Sequence, residues 1–270
     1  MSEIKLNKAP ARNRPAACLA AALTYAAITL CHPALAQNAH STPVSIEASV
    51  SLEWDQTKGV YIAIGDAIVE QDDKRLTADE IIARYDPQSE GRDLTDVTAS
   101  GSVVFVNGDN VARGAKLDYI IGDDTYDLAG PQAIVTSPRG RMTATGSITY
   151  NASDIANKQV VAIGAAAYED DTGRVVEGER VVAFLGEDGS INTIDAEGEA
   201  KVVTPKGIVA TADRLNYVAA TDRADLFGNV EIIDRDNIMR GARAEVEFDK
   251  EISRLLSDNT GKRVTGVLKP

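Results

Sequence analysis

A paired recurrence of glycine and aromatic residues constrains the fold of this chain more than any other feature. Six times, a glycine precedes an apolar segment and an aromatic residue closes a second segment about 20 positions later. This spacing predicts six stacked repeats of about 33 residues each. The pairs are Gly65 with Tyr85, Gly101 with Tyr119, Gly130 with Tyr150, Gly164 with Phe184, Gly198 with Tyr217 and Gly228 with Phe248.

The segment that ends at each aromatic residue alternates between apolar and polar side chains. The residue two positions before the aromatic is apolar in every repeat, and the residue one position before it is polar in all but one. A period of two is that of a half-buried strand, whereas a helix would place apolar residues three and four apart. The sequence therefore predicts an all-β protein of antiparallel strands, each repeat opening with a strand at its glycine.

The first segment of each repeat is expected to face the same interior as the second. The fourth residue after each glycine is apolar or aromatic, which gives the set Val69, Phe105, Ile134, Tyr168, Val202 and Ile232. Pro131 directly follows the third glycine and cannot donate a hydrogen bond to a strand ladder. That strand should begin late or lie at an edge, so the third repeat is expected to be the least regular.

The N-terminal segment has the pattern of a Sec-type signal peptide. Four basic residues precede an apolar run from 16 to 31, and Ala34-Leu35-Ala36 supplies a cleavage site after Ala36. An uncleaved membrane anchor is the alternative. The predicted organisation is a signal peptide over 1–36, a repeat domain over 37–256 and a C-terminal edge strand or tail over 257–270, in a periplasmic protein. Cys18 and Cys31 both lie in the leader, so the remaining chain can form no disulfide.

Charge and composition argue against several classes of function. The formal net charge of −13 repels nucleic-acid backbones. Three acid pairs, at 72–73, 123–124 and 170–171, lie in predicted turns and are interpreted as solvated turn residues rather than calcium or glycosidase sites. Outside the leader there is no cysteine, and His40 is the one histidine. We therefore predict no catalytic residue, no metal site, no cofactor and no enzymatic activity.

Several short motifs, in a fixed order, carry a resemblance to a known family. They are Pro43-Val44-Ser45-Ile46-Glu47-Ala48, Leu52-Glu53-Trp54-Asp55, Gly65-Asp66-Ala67-Ile68-Val69, Leu76-Thr77-Ala78-Asp79 and the closing stretch from Gly261 to Pro270. Over about residues 43–270 the chain resembles the OstA-like periplasmic domain of the LptA family of lipopolysaccharide-transport proteins. The motifs are weak one by one, and their order carries the similarity.

The resemblance implies both a fold and a function. The fold is a twisted, open β-jellyroll whose apolar groove accepts the acyl chains of lipopolysaccharide. The function is a bridge in outer-membrane biogenesis of Gram-negative bacteria, between an inner-membrane LptC-like protein and an outer-membrane LptD-like protein, with head-to-tail self-association as a further possibility. Six repeats exceed the number in shorter members, so a single longer bridge segment is the alternative to self-association.

Two sets of residues follow as candidate sites. The interior, lipid-binding set is Val69, Phe105, Leu117, Tyr119, Ile148, Tyr150, Val182, Phe184, Leu215, Tyr217, Val246 and Phe248. The partner-edge set is Ser45, Ile46, Ala48, Val264 and Val267, which could add strands to neighbouring proteins. Packing of the first set against itself, and disorder of the second set in tails, are the simpler interpretations.

Two other functions remain open from the sequence. A structural scaffold could polymerise through its strand edges and hold no lipid. A carbohydrate-active β-helix enzyme is disfavoured, because no repeat concentrates acidic, aromatic and basic residues together.

Overall fold

A computed structural model describes residues 43–89, 92–153, 158–257 and 263–267. The predicted signal peptide and its cleavage after Ala36 lie outside the described residues, as do 258–262 and 268–270 of the predicted C-terminal segment. Within the described part there are eighteen β-strands, one 3-10 turn at Ala219–Thr221 and no α-helix. The all-β prediction is confirmed.

The strands vary from three to fourteen residues in length. They are β1 Ser45–Glu47, β2 Ser51–Asp55, β3 Val60–Gln71, β4 Lys74–Tyr85, β5 Leu94–Asn107, β6 Asn110–Ile120, β7 Thr125–Ala129, β8 Ala133–Ser137, β9 Gly140–Ala144, β10 Ser147–Asn151, β11 Gln159–Asp170, β12 Val175–Leu185, β13 Ile191–Val203, β14 Val209–Val218, β15 Arg223–Asp234, β16 Asn237–Glu247, β17 Ile252–Leu256 and β18 Thr265–Val267.

All described strand pairs are antiparallel and belong to one sheet. The long strands pair with their neighbours in chain order. Four positions in this sheet hold two short strands instead of one long strand. β1 and β2 both pair with β3, β7 and β8 with β6, β9 and β10 with β11, and β17 and β18 with β16. The six predicted repeats are the six antiparallel hairpins between β3 and β16, and the split strands at the two ends form open edges.

A glycine lies in the middle of five long strands and not at their beginning, so the prediction that each glycine opens a strand was wrong. In β5, Gly101 and Ser102 have φ values of 76° and 49°. Ser100 pairs with Lys116 but Val103 with Gly114, so β5 carries one extra residue at this point. Such a β-bulge bends a strand, and glycine adopts the positive φ at the lowest cost. The same bulge recurs in β3, β11, β13 and β15.

The third repeat is interrupted at its glycine. β7 ends at Ala129, and β8 begins only at Ala133, after Gly130 and Pro131. This outcome confirms the late strand start predicted from the proline. The partner strand is broken as well, into β9 and β10.

The line of bulges divides the sheet into two halves that face each other. Half-sheet I contains residues 51–55, 60–64, 80–85, 94–100, 116–120, 125–129, 147–151, 159–163, 180–185, 191–197, 214–218, 223–227, 243–247 and 252–256. Half-sheet II contains residues 45–47, 67–71, 74–78, 103–107, 110–114, 133–137, 140–144, 166–170, 175–178, 200–203, 209–212, 230–234, 237–241 and 265–267. The halves are joined along the bulges and end in turns at their free ends.

Side chains from both half-sheets form a single hydrophobic core. Ile81, Ile194 and Leu226 of half-sheet I and Val202 and Ile232 of half-sheet II are at most 2% exposed and belong to one cluster. Burying a side chain of this size contributes roughly 1.5 to 3 kcal/mol. Two facing half-sheets around a shared core form the open β-jellyroll arrangement that was predicted.

Candidate functional site

A cavity of about 370 Å³ lies between the half-sheets in the middle repeats. Half-sheet II contributes Phe105 and Tyr168 to its wall, and half-sheet I contributes Leu117, Ile148 and Tyr150. The wall is mostly apolar, which suits a hydrocarbon ligand better than a polar one. Arg139 is the one charged residue among the described residues that line the cavity.

Tyr126 lies at the centre of the aromatic side chains around this cavity. Its ring centroid is 4.2 Å from that of Tyr119, 5.7 Å from that of Phe105 and 6.3 Å from that of Tyr150. Phe105 belongs to half-sheet II and the three tyrosines to half-sheet I, so this cluster packs one half-sheet against the other. Offset stacked rings of this kind stabilise beyond the area that they bury.

The tyrosine hydroxyls of the cavity are held uncharged. Burial raises the pKa of Tyr126 far above its usual value, and the hydrogen bond with Tyr119 acts in the same direction. Burial also raises the pKa of Tyr168 to about 12. The Tyr168 hydroxyl donates to the carbonyl oxygen of Arg139 at 2.9 Å. The wall therefore offers neutral hydroxyl groups at physiological pH, and no phenolate.

Ten of the twelve predicted interior residues share the inner face. Leu117, Ile148, Leu215, Tyr217 and Val246 are buried, and Val69, Phe105, Tyr119 and Phe248 are half-buried against the core. Tyr150 is half-buried and lines the cavity together with Phe105, Leu117 and Ile148. The structure thus brings four of the predicted residues to one cavity and distributes the others along the core.

Val182 and Phe184 were placed on the wrong face. Val182 pairs with Asp195 and Phe184 with Thr193, whereas the core residues Val181 and Ala183 pair with Ala196 and Ile194. Residues that pair across antiparallel strands point to the same side of the sheet. Val182 and Phe184 therefore lie on the outer face, where Val182 is nevertheless only 2% exposed, and Leu185 takes the position on the cavity wall that was expected for Phe184.

The error arose because positions were counted back from the aromatic residue. Counting forward from the bend in each strand would have placed both residues correctly. β4, β6, β14 and β16 each have a small residue, alanine or glycine, at the bend. In these strands the first inward residue of half-sheet I comes three positions after that small residue. The next inward residues follow at every second position. The aromatic is then five or seven positions after Ala78, Gly114, Ala212 and Gly241, but Phe184 is six after Gly178. Ile134 was also predicted to face the interior and does not. The break at Pro131 changes which alternate residues of β8 point inward, and these are Ala133 and Val135.

Sequence reasoning missed several cavity residues. Tyr126 and Leu128 lie in β7, Met142 in β9 and Val160 in β11. None is tied to the closing aromatic of a repeat, which was the reference point for the alignment. The alternation of Tyr126 and Leu128 along β7 is the sequence signal that could have identified that pair.

Three contacts join the free ends of the half-sheets. Each runs from a basic residue in a half-sheet II turn to an acidic residue in a half-sheet I turn. Arg139 contacts Asp188, with Nη1 donating to its carbonyl oxygen at 2.9 Å, Arg174 contacts Asp222, and Lys206 contacts Glu251. We call these contacts the three bridges.

Arg174 forms the most enclosed of the bridges. Its side chain is 12% exposed, and Nη2 lies 2.8 Å from Oδ1 of Asp222. The guanidinium carbon lies 4.9 Å from the ring centroids of both Tyr217 and Phe248, and Nη1 donates to the Tyr217 hydroxyl. Tyr217 in turn donates to Asp222 at 3.0 Å. Desolvated cation–π and ionic contacts of this kind are stronger than exposed ones.

The predicted edge residues lie at the two ends of the sheet. Ser45 and Ile46 belong to β1, which pairs only with β3 among the described strands, and Ala48 follows it. Val267 belongs to β18, which pairs only with β16 in that same set, and Val264 precedes it. Val264 and Val267 are exposed. Within the described residues, each end therefore presents backbone groups without a strand partner, which another strand could use.

The described residues contain neither a metal-binding cluster nor a membrane-spanning helix. No group of three or more histidine, cysteine, aspartate or glutamate side chains there is placed to hold a metal ion. No helix in that part of the chain is long and apolar enough to cross a membrane.

Comparison with known proteins identifies the family. A family model described as "LptA/(LptD N-terminal domain) LPS transport protein" matches residues 45–156 and 154–252. Among solved structures, LptH of Pseudomonas aeruginosa, described as the LptA homologous periplasmic component of the conserved lipopolysaccharide transport device, is 13% identical, with 85% of this chain and 96% of that chain covered and a TM-score of 0.20. No curated protein sequence matches the chain.

Proposed function

Because the chain belongs to the LptA/(LptD N-terminal domain) family of LPS transport proteins, we propose that it carries lipopolysaccharide through the groove between its half-sheets, from an inner-membrane complex to an outer-membrane translocon. The observation that carries this proposal is the apolar cavity between two half-sheets of a sheet that is open at both ends. The role is that of a carrier and not of an enzyme.

The interior supplies the free energy for holding acyl chains. Each CH₂ group removed from water contributes about 0.8 kcal/mol, so a single chain in the groove is retained without any covalent step. The inner face is apolar along the repeats, from Ile81 in β4 to Val246 in β16. The sugars and phosphates of the ligand would remain in solvent, because the cavity wall has one charged residue among those described.

The open edges support a place within a chain of proteins. We assign the β1 edge and the β18 edge to strand addition with an LptC-like partner, an LptD-like partner or a second copy of this chain. Such contacts align one groove with the next. The leader over 1–36 and a periplasmic location belong to the same proposal.

Photo-crosslinking in cells tests this function. A photoreactive amino acid in place of Tyr150, which lines the cavity, is expected to label lipopolysaccharide. The same amino acid in place of Ile163, which is 48% exposed on β11, is the matched control and should label none. Equal labelling at both positions, or at neither, contradicts the proposal.

Lipid extraction separates the proposal from the scaffold alternative. Protein purified from the periplasm should release acyl lipid that mass spectrometry identifies as lipopolysaccharide. A scaffold that polymerises through its edges would release none. Substituting Leu117 and Leu215 by Asp should abolish capture of lipid, because both side chains are buried on the inner face. The far-ultraviolet signal of the β-strands should remain.

A further inference from the structure

Within the part of the chain that the structure describes, the three bridges are confined to one region. Arg139, Arg174 and Lys206 belong to the third, fourth and fifth repeats. Each is in a turn at the free end of half-sheet II, and each partner is in a turn at the free end of half-sheet I. The bridges therefore join the half-sheets on the side opposite the line of bulges, where the groove would otherwise open to solvent.

The bridges follow one geometric rule. A half-sheet II turn contacts the second half-sheet I turn that comes after it in the sequence. The turn at Arg139 reaches Asp188, in the turn after β12. The turn at Arg174 reaches Asp222 after β14, and the turn at Lys206 reaches Glu251 after β16.

The same rule applied to the first repeat brings together acidic residues. The half-sheet II turn between β3 and β4 contains Asp72 and Asp73, and the second half-sheet I turn after it contains Asp123 and Asp124. Like charges in facing turns repel, so no bridge of the kind seen in the later repeats can form there. The next half-sheet II turn, between β5 and β6, contains Asp109, and the turn that the rule assigns to it, after β10, lies largely outside the described residues.

The cavity lies at the boundary between these two regions. Its wall includes Asn107 and Asn110 from the turn that carries Asp109, and Arg139 from the first bridge. The Arg139 bridge is the least tightly held of the three. The side chains of Arg139 and Asp188 are 51% and 69% exposed, and their charged atoms are 4.0 Å apart, compared with 2.8 Å for Arg174 and Asp222.

We propose that acyl chains enter the interior sideways, through the gap between the free ends of the half-sheets beside the first repeat, and that the three bridges close this gap along the later repeats. This inference rests on the proposed function and adds a point of entry to it. The cavity wall begins at Phe105 in the second repeat, and an entering acyl chain moves from the first repeat into it. Beyond Arg139 it is enclosed and can move only along the groove.

Cross-linking each part of the gap tests the inference. Both natural cysteines lie in 1–36, and replacing Cys18 and Cys31 by Ser makes introduced pairs unique. One variant carries Asp73→Cys with Asp123→Cys, and the matched control carries Lys206→Cys with Glu251→Cys, a bridge whose residues do not line the cavity. A bismaleimide closes each pair, and mass spectrometry confirms the bridge. The probe is a neutral pyrene-labelled monoacylglycerol, so that head-group charge does not influence entry.

Uptake is followed by stopped-flow fluorescence. Closing the 73–123 pair should slow uptake about tenfold or more, whereas closing the 206–251 pair should change it by less than about twofold. The same proteins before cross-linking control for the substitutions. Failure to bridge 73 and 123, no effect of that bridge, or an equal effect of the control bridge overturns the inference. If no form takes up the probe, the proposed function itself fails.

Opening the bridges provides a second measurement. Arg139→Gln, Arg174→Gln and Lys206→Gln together should release bound probe about tenfold faster, because the closed part of the gap then opens to solvent. Gln at Arg84, Arg240 and Arg254 removes the same charge from ion pairs within half-sheets and should leave release unchanged. Equal release rates in the two triple variants would overturn the assignment of the bridges.

Discussion

Gly101 of β5 lies so close to Asp79 of β4 that a Cβ atom at position 101 would be 2.2 Å from Oδ2 and 2.8 Å from Cβ of the aspartate. The contact involves the Cβ of Asp79, so rotation of the carboxylate does not relieve it. Gly228 has the same relationship with Asp213, at 2.1 Å from Oδ2. The bend between the half-sheets therefore depends on glycine for space as well as for φ.

We predict that Gly101→Ala lowers the free energy of unfolding by about 1 to 3 kcal/mol, because the substitution adds strain at a φ of 76° and a steric clash. Urea denaturation measures the change. Gly122→Ala is the control, since no atom lies within 4 Å of its would-be Cβ. Similar losses in the two variants would contradict a special role for the bulge.

The second prediction concerns the two faces of the sheet. Tyr150→Ala should weaken binding of the pyrene-labelled monoacylglycerol about fivefold or more, because it removes aromatic surface from the cavity wall. Phe184→Ala should leave binding nearly unchanged, since strand pairing places Phe184 on the outer face. Fluorescence titration measures both. A larger loss at Phe184 than at Tyr150 would restore the face assignment made from the sequence.

The third prediction is a dependence of stability on alkaline pH. Burial raises the pKa of Tyr168 to about 12, above the value of about 10 expected in the unfolded chain. The folded state thus retains a proton that the unfolded state loses, and this contribution is present below about pH 10 and disappears as the pH rises to about 12. The free energy of unfolding should fall across that window.

Tyr168→Phe isolates this contribution. At pH 7 the variant should lose about 1 kcal/mol, for the hydrogen bond to the Arg139 carbonyl. Its stability should then decline less steeply than that of the wild type between pH 10 and 12. Denaturation curves at pH 7, 9, 10 and 11.5 provide the comparison, and parallel declines in the two proteins would argue against a raised pKa at this residue.

The fourth prediction concerns the C-terminal edge. Val267→Glu should weaken head-to-tail association, because it introduces a charge into an exposed edge strand without disturbing the core. Ile120→Glu is the control, since Ile120 is also exposed but lies in β6 inside the sheet. Sedimentation velocity over a range of concentrations measures association. Equal effects of the two substitutions would exclude a specific role for the edge.

The candidate site was predictable only in part, and the difference between Leu117 and Val182 shows why. Both stand two positions before an aromatic residue, but Leu117 is inward and Val182 outward. Alternation fixes which residues of one strand share a face, and it does not fix which face is inward after a bend. The three bridges were beyond sequence reasoning altogether, since Arg174 and Asp222 are 48 positions apart and meet only because the half-sheets face each other.

The sequence by itself determined that this protein is built of antiparallel hairpins and that its third repeat is irregular, because period-two alternation and proline act over a few residues. The tertiary structure alone decided where each long strand bends, which residues line the cavity and which part of the groove is bridged. Those features depend on the register between strands and on the approach of two half-sheets. Register shifts of a single residue, such as that between Ser100 and Val103, reverse the face of every residue beyond them.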